Sequence, residues 1–327
     1  MLQMRLRQCY LLVGACAVMA GAGWARGQPF QFTGVRQTSN REIVLSVSAP
    51  PGRAYRIESA LGLPEWHGLY TFPTNAATSL QYTDSAASYL AARYYRAVRL
   101  EGSNIVSGDH LVTNDGEVVI QPRNHATFVM QWNGKMIYCD PVPTASYTGL
   151  PKADLILITH SHSDHFNTAT IDTVRGAGAA IIAPLTVYTS LTPAQKAIAT
   201  VLGYGESTNV QGVAVDALYA YNSYHSPLGF GNGYVLTIGG SRIYISGDTG
   251  NAPEIRALTN IDVAFVCMNQ PYTMTVAEAT NAVRAIRPKV VYPYHYRDAS
   301  GAISNAATFK QWLGTDLGIE VRLRSWY

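Results

Sequence analysis

The segment Thr159-His160-Ser161-His162-Ser163-Asp164-His165-Phe166 sets three imidazoles and a carboxylate within six residues. It follows directly on the apolar run at residues 153–158, Ala-Asp-Leu-Ile-Leu-Ile. A short run rich in Leu and Ile reads as a buried strand. A fold that accommodates this sequence must end a buried strand in a tight turn of ligating side chains. Nitrogen and oxygen donors held together on so rigid a support suit a borderline divalent metal such as zinc. The competing reading is a polar loop that happens to hold histidines. With only 8 histidines in 327 residues, it explains the spacing poorly.

The first residues read as an export signal, residues 1–25. Arg5 and Arg7 form a basic start, residues 10–22 an apolar and small-residue core, and Gly23-Trp24-Ala25 a cleavage site. The core is too short and too rich in Gly and Ala for a confident membrane span. The mature protein is then expected in the periplasm or secreted. Val13-Gly14-Ala15-Cys16 also loosely matches a lipoprotein signal, which would leave a lipid anchor on Cys16. Cleavage after Ala25 removes two of the 24 basic residues and leaves 22 against 21 acidic ones. So balanced a charge gives no phosphate-tracking surface, and no nucleic-acid partner is expected. Of the 4 cysteines, Cys139 and Cys267 lie outside the leader, at the ends of strand-like runs. They read as buried free thiols rather than a disulfide.

Residues 29–100 carry short β-like runs at 43–48, 54–58, 79–82 and 94–100, broken by turn residues such as Pro50-Pro51-Gly52. They read as a small β-sandwich accessory module. Its aromatic residues, Trp66 among them, could offer a glycan or surface contact, though core packing explains them more simply. Residues 101–110 read as a linker. From 108 to 327 the pattern changes to hairpins, then to alternating strands and helices. Strands are expected at 117–121, 127–132, 135–139, 179–183, 261–268 and 289–294. A hairpin spans 234–246. Helices are expected at 193–202, 275–286 (opened by Thr275 with Glu278 three residues on) and 305–313. This order suggests two sheets packed face to face with helices outside, an α+β class.

A catalytic metal site needs donors from more than one turn. His225 lies in a loop before the hairpin, Asp248 directly follows the strand at 242–245, and His295 ends the strand at 289–294. Gly247 can take an unusual backbone angle that aims Asp248 inward. Together with His160, His162, Asp164 and His165 they supply five histidines and two carboxylates, enough for two adjacent metals.

At this point the sequence resembles the metallo-β-lactamase fold superfamily. The similarity is to its branch of L-ascorbate-6-phosphate lactonase-like and N-acylphosphatidylethanolamine phospholipase D-like proteins. The matching segments are Asn124-His125-Ala126-Thr127-Phe128, Tyr138-Cys139-Asp140-Pro141, the histidine cluster, Gly231-Asn232-Gly233-Tyr234-Val235, Gly247-Asp248-Thr249 and Pro293-Tyr294-His295-Tyr296. The resemblance implies a four-layered αββα sandwich over residues 108–327. It implies that His160, His162 and His225 hold one metal, that Asp164, His165 and His295 hold a second, and that Asp248 bridges them. Two such ions, zinc in the first place and manganese as the alternative, lower the pKa of a shared water and polarise the bond under attack. Asp164 can handle the proton of that hydroxide. His125, Asp140, Asn269 and Tyr272 are expected around substrate or behind the ligands, with Met274 beside them.

The resulting expectation is an exported hydrolase that cleaves an ester, lactone or phosphodiester bond in a small-molecule or lipid-like substrate. β-Lactam hydrolysis ranks lower, because a family name does not establish an activity. His162 stands where a flavo-diiron oxidoreductase would carry Glu. The alternative of another class is a surface-attached binding protein with a structural or vestigial metal site. Against it, no expected ligand is missing, and a structural zinc closes with four ligands.

Overall fold

In the computed structural model, described for residues 8–13, 17–19, 31–74, 78–100, 105–226, 229–298 and 300–327, the apolar runs become strands of two structural units. One comprises Met1–Val112 with Val119–Gln121, the other Thr113–Val118 with Pro122–Tyr327.

In the first unit, Gln31–Gln37, Ile43–Ser48 and Ser79–Asp84 form a three-stranded antiparallel sheet. A second sheet centres on Ala54–Ala60, between His67–Phe72 and Arg93–Leu100. Alternation places Ile43, Leu45 and Val47 from one sheet in the same core as Tyr55, Ile57, Tyr95 and Ala97 from the other. This is the all-β module expected from the sequence. The Arg96 guanidinium lies over the Trp66 ring, its Cζ 4.5 Å from the ring centroid. The linker expectation needs correction. Residues 101–104 lie outside the described residues, and Gly108–Val112 is a strand paired with His67–Phe72. Most of the expected leader, including Cys16 and the cleavage site, also lies outside them. Within it Gln8–Val13 and Ala17–Met19 are strands.

The second unit is built on two sheets. The first runs Ala199–Val201, Arg175–Ala183, Ala153–Leu157, Lys135–Cys139, Thr127–Trp132. The second runs Ser207–Val210, Val213–Tyr219, Asn232–Ile238, Ser241–Ile245, Val263–Cys267, Val290–Tyr294, Glu320–Val321. Central strands such as Val263–Cys267 and Val290–Tyr294 are apolar throughout and wholly buried, as strands covered on both faces must be. The sheets meet where Phe128 stacks on Phe265 at 4.1 Å, with Trp326 packed edge-on to both. Each such pair adds about 0.5–1.5 kcal/mol beyond the area it buries. Val276–Ile286 has the expected capping box of Thr275 and Glu278, and it packs against Val263–Cys267 and against Ala306–Leu313. The result is an α+β sandwich, the class expected from the sequence.

One helix is shorter than the sequence suggests. Pro193–Lys196 is a single capped turn, and Ala199–Val201 then joins the first sheet beside Arg175–Ala183. A parallel strand edge with open hydrogen-bonding groups outcompetes the helical continuation at Thr200 and Val201, whose branched side chains favour extension.

Candidate metal centre

Parallel pairing aligns the C-terminal ends of neighbouring strands, where open sheets bearing helices form their crevices. Lys135–Cys139 runs into Asp140, and Ala153–Leu157 into Thr159 and His160. Ser241–Ile245 leads to Asp248, and Val290–Tyr294 to His295. Two glycines make the approach geometrically workable. Gly247 has φ +57, and a Cβ there would sit 2.8 Å from the Asn232 carbonyl oxygen. Gly231 pairs with His160, and a Cβ would lie 2.8 Å from the His160 Cβ. Any larger residue at either position would push apart the turns that carry the donors.

The side chains form two lobes. In the first, the rings of His160, His162 and His225 make a nearly equilateral triangle with centroids 4.8, 4.9 and 5.0 Å apart. Their candidate donor atoms all lie within 4.8 Å of one another. Phe230 backs the triangle, stacked on His225 at 4.3 Å. In the second, His165 Nε2 and His295 Nε2 face each other at 2.8 Å. Asp164 Oδ2 lies 3.8 and 3.6 Å from the same two nitrogens. Asp248 joins the lobes. Its Oδ1 lies 3.4 Å from His165 Nε2 and 3.2 Å from His295 Nε2, while its Oδ2 lies 3.9 Å from His160 Nε2.

These donors fit a metal. His160 Nε2 and Asp248 Oδ1 are buried without a hydrogen-bond partner, a costly arrangement unless a cation takes their lone pairs. The outer ring nitrogens of His165, His160 and His225 have partners, whereas His295 Nδ1 is buried without one. Asp140, wholly buried, accepts from His165 Nδ1 at 2.8 Å and from the Thr159 backbone N–H and hydroxyl, both at 2.7 Å. The Thr159 hydroxyl, having donated there, accepts from His160 Nδ1 at 3.1 Å. His225 Nδ1 lies 3.3 Å from the Asp248 carbonyl oxygen. Each bond on Nδ1 directs Nε2 toward the centre, as ligating histidines require.

The metal-free electrostatics follow from the same contacts. Burial works against the cation of His165, yet the carboxylates of Asp248 and Asp140 outweigh it and push its pKa up to about 9. Burial drives His160 and His225 down, so both are neutral at pH 7. Burial also opposes ionisation of Asp248 and Asp164. The imidazoles of His295, His165 and His160 around the first, and the bonds from His125 and His295 to the second, nevertheless hold both carboxyls well below their usual range. A protonated His165 donates Nε2–H toward His295, and a metal must displace that proton. Since the folded pKa is above the unfolded value of about 6.5, this ion-paired proton stabilises the metal-free fold below that pH. The contribution is lost as pH rises through about 9. Zinc affinity should therefore climb between pH 7 and 9, with a proton released on binding. Calorimetric titrations in buffers of differing ionisation enthalpy would measure both, and a flat affinity over that range would contradict the assignment.

The residues expected to ligate are thus brought together without exception. His125 is closer than expected, its Nε2 3.2 Å from Asp164 Oδ2, and it forms a compact group with Asp164 and His295. Asp140 stands behind the donors. Asn269 is buried with an unpartnered Oδ1. Tyr272 is 37% exposed and packs edge-on against Tyr224 at 5.1 Å. Met274 is core. Cys139 and Cys267 are free, buried thiols. Sequence reasoning missed Asn222, whose Oδ1 accepts from the backbone N–H groups of Tyr224 and His225, and whose amide donates to the Asp248 carbonyl. An Asn three residues before a loop histidine is the turn signature that could have shown it.

Residues 120–295, more than half the chain, match the Beta-lactamase superfamily domain. The chain belongs to this superfamily. It is similar to the UPF0173 metal-dependent hydrolase of Thermococcus onnurineus, 32% identical over 203 residues, covering 58% of this chain and 89% of the relative. A UPF0173 metal-dependent hydrolase of Pyrococcus abyssi is 30% identical with the same coverage. Among solved structures, a Parabacteroides distasonis protein classed as a metal-dependent hydrolase shares 38% identity with a TM-score of 0.61, over 66% of this chain and 97% of that one. Igni18, a metallo hydrolase from Ignicoccus hospitalis, shares 25% identity with a TM-score of 0.55, over 63% and 94%. The chain is a metal-dependent hydrolase of the metallo-β-lactamase superfamily.

Proposed function

We propose that this hydrolase is exported and holds two metal ions, zinc in preference to manganese, with which it cleaves an ester, lactone or phosphodiester bond in a small-molecule or lipid-like substrate. The observation that carries the two-ion reading is Asp248, which turns one carboxylate oxygen toward His160 and the other toward His165 and His295. A five-imidazole set favours zinc over the harder cations. Zinc assignment, export and the lactonase-like or phospholipase D-like branch rest on the sequence.

Bound ions would supply Lewis acidity and an activated water. The chain's own residues do the rest. His160, His162 and His225 would hold one ion, Asp164, His165 and His295 the other, with Asp248 between. Asp164 is the carboxylate open to the outside, its side chain 44% exposed, and so the one that can take a proton from water and release it. An exposed aromatic pair adjoins His225. Tyr224 is 57% exposed directly beside His225, and it packs on Tyr272, a surface suited to an organic or acyl group.

The test is a hydrolysis panel on zinc-loaded protein: bis(p-nitrophenyl) phosphate, p-nitrophenyl esters of rising chain length, γ- and δ-lactones, and a chromogenic cephalosporin. Turnover of one of the first three classes, abolished by chelation and restored by zinc, is expected. A protein shown to hold two ions that turns over none of them would favour the binding-protein reading instead.

A further inference from the structure

We propose that Tyr327 is a positioning residue for this centre: its phenol fixes the tautomer of His125, so that this imidazole donates to Asp164 and holds the carboxylate in place. The Tyr327 oxygen lies 3.1 Å from the backbone nitrogen of Tyr296 and 3.0 Å from that of Arg297, both of which donate to it. Those two N–H groups use both of its lone pairs, and the phenol keeps one proton to give. Its remaining neighbour is His125 Nδ1 at 2.9 Å. That nitrogen must accept. A neutral imidazole whose Nδ1 accepts carries its hydrogen on Nε2, and Nε2 lies 3.2 Å from Asp164 Oδ2. The direction of both bonds follows from counting donors and acceptors.

The surroundings hold this chain of groups still. His125 adopts φ +56. Its N–H donates to the Trp326 carbonyl at 3.1 Å, and its own carbonyl accepts from the His295 N–H at 3.2 Å. Its ring lies 3.8 Å from that of His295. Trp326 is wholly buried and so anchors the residue that follows it. The Arg297 guanidinium covers the Tyr327 ring at 3.8 Å. Burial pushes the Tyr327 phenol up to about 12, so it retains its proton at neutral pH. The recipient needs such help. Asp164 is the most exposed member of its lobe, and the oxygen that His125 holds is the same Oδ2 that faces His165 and His295. Without the bond, a half-exposed aspartate is free to turn outward.

The inference rests on the proposed metal role of Asp164, but its first readout does not. In metal-free protein, nitrogen-15 NMR of the imidazoles should show His125 protonated at Nε2. Tyr327→Phe, which keeps the ring and the Arg297 contact, should move it to a mixture with the Nδ1–H form. In a zinc titration against a competing chelator, the variant should then hold its weaker zinc about 10-fold less tightly, within the range seen when groups behind a ligand are removed. A parent His125 protonated at Nδ1, an unchanged tautomer in Tyr327→Phe, or an unchanged zinc affinity would each overturn the proposal. A parent protein that binds no zinc would instead remove the metal reading, and the tautomer result alone would decide whether Tyr327 orients His125.

Discussion

Asp164→Asn should leave most of the metal in place and lower turnover by about 100-fold or more, the range expected when a positioned proton acceptor is lost. Asparagine keeps an oxygen donor and nearly the same volume. Its Oδ1 can still face His165 and His295, where Oδ2 of Asp164 now sits at 3.8 and 3.6 Å. What it lacks is basicity. The other carboxylate cannot substitute, because Asp248 is buried and shared between the lobes. Elemental analysis and kinetics on one preparation, at saturating zinc, separate the two roles. A variant that hydrolyses at the parent rate would mean that Asp164 handles no proton.

Asp140→Ala should act through the donors rather than on them. Asp140 is wholly buried, and three groups donate to it: the Thr159 N–H, the Thr159 hydroxyl and His165 Nδ1. Removing it leaves those donors unsatisfied and frees both His165 and, through Thr159, His160 to turn. Loss of one partner from a buried pair costs about 3–5 kcal/mol. Zinc affinity should fall by about 10- to 100-fold. Asparagine at this position should rescue little, since its amide would point a donor at a group that also donates. Denaturant melts of the metal-free variant and a competitive zinc titration measure the two effects. Parent-like values for both would remove Asp140 from its supporting role.

Much of this centre was legible because its chemistry is contiguous. His160, His162, Asp164 and His165 follow one apolar strand, and no tertiary knowledge was needed to see them as a cluster. Asp248 and His295 were visible as polar residues terminating buried runs. The strand pairs Thr127–Trp132 with Lys135–Cys139 and Asn232–Ile238 with Ser241–Ile245 were marked by Asn-Gly and Gly-Gly, whose φ values are positive as such turns demand. What stayed hidden depends on partners remote in sequence. The Ala199–Val201 strand exists because Arg175–Ala183 offers it an edge. Tyr327 lies 202 residues from His125, and nothing in its local sequence announces a phenol poised between two backbone donors. The start of the Gly108–Val112 strand was read as the end of a linker because its pairing partner, His67–Phe72, was itself not recognised as a strand.

If Asp248 joins two metal-holding lobes, the number of ions each chain binds will show it. Elemental analysis of purified, zinc-loaded protein should give close to two ions per chain. His295→Ala should retain close to one, because His295 contributes only to the lobe of His165 and Asp164, while the triangle of His160, His162 and His225 is left intact. A single ion per chain that His295→Ala leaves undisturbed would contradict the two-metal centre.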